Sequence, residues 1–206
     1  TISNLTINNY MFASTPAGGN EGVKPGEVKN ITMKNPVVNG SSHDATVFWG
    51  YCYTNVDFTN VVVDGAVISG GSNVGALMSR TAIESANGKI ALKFTDCKVI
   101  NSTLKADDPN ADPTGASAFI GRAYGNTTIK FSGCEVENNT IINENGLVGG
   151  EVYGYSVYVD GGWAGTGACD TFTDFAGVEA VKVGTAVYGN FADAIAAAKT
   201  GDTISL

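Results

Sequence analysis

Histidine is nearly missing from this chain. A single His43 serves all 206 residues. That scarcity excludes Cys/His metal frameworks, which need several imidazoles or paired cysteines. The four cysteines, Cys52, Cys97, Cys134 and Cys169, form no CxxC pair and match no zinc spacing. His43 has no serine or cysteine motif around it, so a Ser/His/Asp triad has no support. Basic residues are also scarce, with 12 Lys+Arg against 20 Asp+Glu and a net charge of -8. A chain of that sign repels phosphate backbones and anionic bilayers, so nucleic acid and membrane surfaces are not expected partners. No apolar run reaches the roughly 18 residues that a membrane-spanning helix needs, and no membrane insertion is expected. No basic n-region or apolar h-region opens the sequence, so no secretory signal is visible. Thr1 begins inside a strand-like pattern, and Asp202 to Leu206 reads as the start of another strand. The expectation is a fragment of a larger exported protein, whose signal and anchor lie elsewhere.

What the chain does have is 43% hydrophobic residues, 27 glycines and an internal repeat. Five segments line up: LTINNYMF from Leu5, ITMKNPVV from Ile31, VDFTNVVV from Val56, LKFTDCKV from Leu92 and IKFSGCEV from Ile129. Their steps are 31-5 = 26, 56-31 = 25, 92-56 = 36 and 129-92 = 37. Each opens apolar, polar, apolar, polar and then reaches Asn, Asp or Gly. That period of two marks a half-buried strand. Leu5, Ile7, Ile31, Met33, Val56, Phe58, Leu92, Phe94, Ile129 and Phe131 are the predicted inward residues. The bend after the strand reads Asn9, Asn35, Asn60, Asp96 and Gly133. A second corner reads Gly40, Gly65, Asn101 and Asn138. Asn and Gly enter the left-handed backbone region at least cost.

A third apolar segment follows in each copy: ATVFWGY from Ala45, VGALMSR from Val74, ASAFIGR from Ala116 and GLVGGEV from Gly146. One repeat thus makes one roughly triangular coil of three short strands. Stacked coils would pair each strand with its own copy about 4.8 Å away. The longer steps carry loops, Thr81 to Lys89 and Lys105 to Thr114, that a solenoid tolerates on one side. The predicted fold is all-β, a parallel β-helix solenoid of about five to six coils over residues 1–160. Residues 161–206 read as a Gly-rich connector, strands and a short capping helix. There VEAVKVGTAV suggests a strand pair. Asn190 would cap a helix from about Phe191 to Lys199, with Ile195 and Ala198 inward and Gly201 as its stop.

The strand, the Asn/Gly bend, and the units FTDCKVINSTL, FSGCEVENNTI and GLVGGEVYG resemble the right-handed parallel β-helix of the pectin-lyase-like superfamily. They are similar in particular to the adhesin-like repeats of large surface proteins of gut bacteria. The resemblance covers about residues 1–160. It implies a bacterial extracellular or cell-surface location and a fold shared by lyases, hydrolases, adhesins and passive stalks.

One column of the third segment carries candidate chemistry. Tyr51, Arg80, Arg122 and Glu151 share a coil position, and Tyr53, Ala82, Tyr124 and Tyr153 share the position two further on. Aromatics beside Arg and Glu suit a carbohydrate, because sugar rings stack on aromatic faces and hydroxyls bind charged groups. The structural alternative is a solvated face with Arg122 and Glu151 paired between coils. The expected ligand-binding set is therefore Tyr51, Tyr53, Arg80, Arg122, Tyr124, Glu151 and Tyr153, and the partner a polysaccharide or a host surface glycan or protein. A loop with Asp107, Asp108, Asn110 and Asp112 has oxygen density enough for Ca²⁺ but lacks EF-hand spacing. Otherwise no cofactor is expected. Cys97 and Cys134 should stack as buried thiols after a bend. The sequence supports a non-enzymatic surface module, an adhesin-like stalk or display domain. Its alternative is a polysaccharide lyase or glycoside hydrolase of the β-helix type, which would need an arranged carboxylate pair.

Overall fold

The computed structural model describes residues 1–12, 25–40, 43–70, 72–81, 90–107, 116–123, 127–143, 157–159, 169–171, 175–176, 181–183, 186–188, 195 and 198–205. Its strands follow the repeat. The first coil holds β1 (Ile2–Ser3) and β2 (Thr6–Asn8). The second holds β3 (Gly26–Lys34), β4 (Val37–Asn39), β5 (Asp44–Ala45) and β6 (Trp49–Cys52). The third holds β7 (Val56–Asp64), β8 (Val67–Ser69), β9 (Asn73–Gly75) and β10 (Met78–Thr81). The fourth holds β11 (Ile90–Thr95), β12 (Lys98–Ile100), β13 (Thr103–Ala106), β14 (Ala116–Ser117) and β15 (Ile120–Ala123). The fifth holds β16 (Thr127–Ser132), β17 (Cys134–Glu137), β18 (Thr140–Asn143) and β19 (Val157–Val159).

Every strand in these coils pairs in parallel with its copy in the adjacent coil, giving sheets of nine, five, four and three strands. The chain is therefore an all-β parallel solenoid. The stack continues past residue 160, because β20 (Cys169–Thr171) and β21 (Phe175–Ala176) pair with β16 and β17. Beyond them, β22 (Val181–Val183), β23 (Ala186–Tyr188) and β24 (Ile204–Ser205) form a separate antiparallel sheet. The strand pair expected in VEAVKVGTAV is thus present. The second, third and fourth coils each have more sides than the expected triangle. The third segment breaks after its first residues into two short strands, as β9 and β10 do.

The inward columns repeat like on like. Phe58, Phe94 and Phe131 stack at 5.0 and 5.1 Å between centroids, nearly parallel. Phe119 stands edge-on to Phe94 and Phe131 at 5.5 and 5.4 Å. Stacked and T-shaped contacts of this kind add to simple burial. Met33, Val63 and Val99 form a second buried column, and Val38, Ile68 and Leu104 a third. Of the predicted inward residues, Leu5 and Ile31 are only partly buried against this core, and the rest are buried.

The bends explain how the coil turns. One column of left-handed residues is Asn30, Asn60, Asp96 and Gly133, with φ of 56, 52, 52 and 62°. A second is Asn4, Asn35, Gly65, Asn101 and Asn138, with φ of 56, 49, 69, 52 and 52°. Their amides stitch the coils: Asn60 Nδ2 donates to Asn30 Oδ1 at 3.0 Å and Asn101 Nδ2 to Asp64 Oδ1 at 2.9 Å. Gly65 has no side chain because a Cβ there would meet Asn35 Oδ1 at 2.4 Å.

These columns correct the sequence alignment in its first two copies. Ile31 pairs with Val61, not Val56, and it is Gly26 that faces Val56. Asn35 belongs to the second bend, Asn30 takes its place in the first, and Asn9 and Gly40 lie one corner further on, with Asn9 N bonded to Asn39 O and Gly40 N to Ser69 O. The steps become 35-4 = 31, 65-35 = 30, 101-65 = 36 and 138-101 = 37. The slip has a physical cause. Two bends lie five residues apart in each coil, and the same alternation leads into both, so ITMKN fits either position.

The predicted helix from Phe191 to Lys199 lies mostly outside the described residues. Ile195 is helical but 52% exposed, so it does not face inward as expected. Gly201 has φ +100°, a positive angle that suits glycine.

Candidate functional site

The third face carries the candidate strip. The strand register places Arg80 opposite both Tyr51 and Arg122 in neighbouring coils, so these three do form one column. Tyr53 joins them from the end of β6, its ring 4.4 Å from that of Tyr51. Trp49, Tyr51 and Tyr53 are half-buried against the core. Tyr124, Glu151, Tyr153, Asp108, Asn110 and Asp112 lie outside the described residues. Asp107 is described and is partly exposed just after β13.

Arg80 sits at the centre of the column and is held on two sides. Its guanidinium lies 4.1 Å above the Tyr51 ring, a cation–π contact. Its Nε approaches the Asp44 carboxylate at 2.9 Å from Oδ1 and 3.2 Å from Oδ2. Asp44 itself is buried, at 7% exposure. It accepts further hydrogen bonds from Ser79 Oγ at 2.7 Å and Asn73 Nδ2 at 3.2 Å. The one Ser79 hydroxyl proton is shared between Asp44 and Asn73 O, 2.8 Å away, and Asn73 Nδ2 donates to His43 O at 3.2 Å. A buried carboxylate is tolerable only when its lone pairs are filled in this way.

Packing is tight where this network meets the strands. Gly121 of β15 lies against β9, and a Cβ there would stand 2.4 Å from the Val74 amide nitrogen. Ser79 and Gly50 occupy the same position in the coils before it, so only small residues are found there. What this arrangement does chemically is fix Arg80 by charge and by π contact. Its Nε is engaged by Asp44, and one face of Tyr51 is covered. The Arg122–Glu151 pair expected from sequence cannot be followed, since Glu151 is not described. Asp44 was missed as a partner. Its signal was the coil position it shares with Asn73, one residue before Ala45 and Val74.

The thiols sit on another wall. Cys97 and Cys134 are buried, free and adjacent in register, as Lys98 pairs with Glu135. Contact with the Cys134 sulfur, and then burial, push the Cys97 thiol up from its ordinary range. Cys97 Sγ donates to Thr95 O, and Cys134 Sγ to Phe94 O, both at 3.3 Å. These contacts suit neutral thiols serving as small core residues. Outside the wall, the Lys98 ammonium is raised by Glu135.

Fold and site together define the class, a parallel β solenoid whose third face is cross-linked by a buried acid–arginine network. Comparison with protein-family models, with curated proteins and with solved structures found no match. Among the described residues, no group of three or more His, Cys, Asp or Glu is placed to hold a metal ion. No described helix is long and apolar enough to cross a membrane.

Proposed function

We propose that this chain is a non-enzymatic module of a bacterial cell-surface protein, an adhesin-like stalk or display unit on a pectin-lyase-like β-helix. The observation that carries the reading is the state of Arg80. It is the charged group at the centre of the strip, and it is spent on linking coils through Asp44 and Tyr51. With its Nε on a buried carboxylate and its plane over Tyr51, this side chain is held in a structural link between coils, which favours a stalk over a catalytic base. The ladders of Asn and Phe further support a rod that holds its shape along its length. In this reading, the half-buried edges of Tyr51 and Tyr53 and the neighbouring Arg122 form the place where a polysaccharide or surface glycan makes contact.

A glycan array combined with a polysaccharide depolymerisation assay, each with and without Ca²⁺, tests the proposal. The expected result is no chain cleavage, and any binding lost on Arg122→Ala but kept on Asp107→Ala. Cleavage of any polysaccharide, above all Ca²⁺-dependent cleavage, overturns it in favour of a β-helix lyase or hydrolase.

A further inference from the structure

Two cysteines stand on consecutive rungs of one wall. Lys98 pairs with Glu135 and Val99 with Val136, so Cys97 and Cys134, one residue earlier in the chain, lie opposite each other. Glu135 N donates to Cys97 O at 2.9 Å, which holds that register at the cysteines themselves. In the coils before, the same column is aliphatic, with Ile31 and Val61. Sulfur replaces carbon at two successive levels, and both residues lie in the core, Cys97 at 0% and Cys134 at 1% exposure. Each follows a left-handed residue, Asp96 at φ 52° and Gly133 at φ 62°, so both leave the corner in the same way.

In-register parallel neighbours have Cα atoms about 4.8 Å apart. A disulfide spans Cα separations of roughly 4.4–6.8 Å. The main chain is therefore already placed for a cross-link. Cys134 Sγ donates to Phe94 O at 3.3 Å, a carbonyl of the coil that holds Cys97, so this sulfur already reaches across the gap. Cys97 Sγ is turned to Thr95 O of its own coil, also at 3.3 Å. Closure asks for a turn of the Cys97 side chain and an approach of about 1 Å between the Cβ atoms. Contact between the two sulfurs raises the Cys97 thiol and lowers that of Cys134. The pair is thus unequal, and Cys134 gives up its proton first. Cys52 is the internal contrast, for it is buried too but faces Thr81 in the next coil.

We propose that Cys97 and Cys134 form a modification site, a dithiol that a hydroperoxide closes into a disulfide stapling the fourth coil to the fifth. In the first step the Cys134 thiolate attacks a peroxide oxygen, and the O–O bond breaks. The leaving hydroxide takes up the proton that Cys134 lost, which gives a sulfenic acid and water. In the second step the Cys97 sulfur attacks the Cys134 sulfur and the S–O bond breaks. Hydroxide leaves and departs as water with the Cys97 proton. Two thiols are oxidised, and one hydrogen peroxide is reduced to two waters. Burial confines the first step to moments of local opening, and it shields the finished bond from reductant. The staple closes a loop of 134-97 = 37 residue steps. The inference does not rest on the function proposed above.

Hydrogen peroxide treatment of the reduced 206-residue Cys169→Ser chain tests it, followed by unfolding, alkylation and non-reducing tryptic mapping. Cys169 is replaced because it shares a tryptic peptide with Cys134. The expected product has lost two hydrogens and joins the peptide of residues 94–98 to the one that begins at Phe131, while Cys52 is alkylated in full. Its thermal midpoint should exceed that of the reduced chain by about 5 °C or more. A further Cys97→Val substitution should leave Cys134 to advance to a sulfinic acid, with no linked peptide. Full alkylation of both Cys97 and Cys134 after peroxide overturns the proposal. So does a sulfinic acid at Cys134 beside an unreacted Cys97, loss of Cys52 at the same rate, or a linked chain whose midpoint does not rise.

Discussion

Two sides of the solenoid are built on opposite plans. On the wall formed by β7, β11 and β16, the inward columns repeat like on like, Phe58, Phe94 and Phe131 being one and Val56, Leu92 and Ile129 another. Phenylalanine lies on phenylalanine, and asparagine or its nearest substitutes occupy each bend. On the third face, no column is uniform. Tyr51 stands beside Arg80 and Arg80 beside Arg122, while Asp44 stands beside Asn73. A uniform column satisfies itself, because each side chain offers what the next one needs. A mixed column holds only when unlike partners from different coils meet, as Asp44 and Arg80 do across 36 residues. The first plan extends without limit, and the second fixes which coil is which.

Substitutions can break this comparison at graded cost. Phe94→Ala should be the most damaging, since Phe94 touches Phe58, Phe119 and Phe131 at once. The loss should be about 3–5 kcal/mol in chemical denaturation. A cost under about 1 kcal/mol would mean that the aromatic ladder is not the backbone of the wall.

Asp44→Ala comes next. It strands the hydrogen bonds of Ser79 and Asn73 together with the Arg80 charge, and should cost about 2–4 kcal/mol. Arg80→Met should cost less, because Asp44 keeps its other two donors. A double-mutant cycle of the pair should show coupling above about 0.5 kcal/mol. Strict additivity would mean that the third face is held by something else.

The bends sharpen the comparison at a smaller scale. Asn101→Gly keeps the left-handed angle and loses only the amide contacts, whereas Asn101→Ala adds about 1–2 kcal/mol of backbone strain. Alanine should therefore unfold at lower denaturant than glycine. The reverse order would place the value of the ladder in its amides rather than in its φ angles.

The smallest effect concerns pH. The Cys97 thiol is raised when folded, so the folded state holds its proton more tightly than the unfolded chain does. That stability is complete below the ordinary thiol range, near pH 8.5, and is lost progressively as pH rises above it. Thermal midpoints should fall from about pH 8.5 upward, and the fall should be shallower in Cys97→Val. Equal slopes in both proteins would remove the thiol from the account.

How much could be read without a structure varies by region for physical reasons. The three long-step copies, Val56, Leu92 and Ile129, aligned correctly because Phe at the third position and the bend that follows occur together in each. The second copy slipped by five residues and the first by ten, because Met33 and Val28 are both acceptable inward residues and a bend follows each strand. The alignment of Tyr51, Arg80 and Arg122 was legible because each closes a seven-residue third segment, ATVFWGY, VGALMSR and ASAFIGR. The role of Arg80 was not, since nothing local to it names Asp44.

The amino-acid sequence by itself determined the solenoid, its alternation and its left-handed corners. Those are properties of a strand and a bend, encoded within a few adjacent residues and repeated until they are unmistakable. Only the tertiary structure decided the shape of the coil, the true register of its first turns and the partner of Arg80. Each depends on which residues the stacking brings within about 3 Å of one another, and that distance is set by the coils together rather than by any one of them.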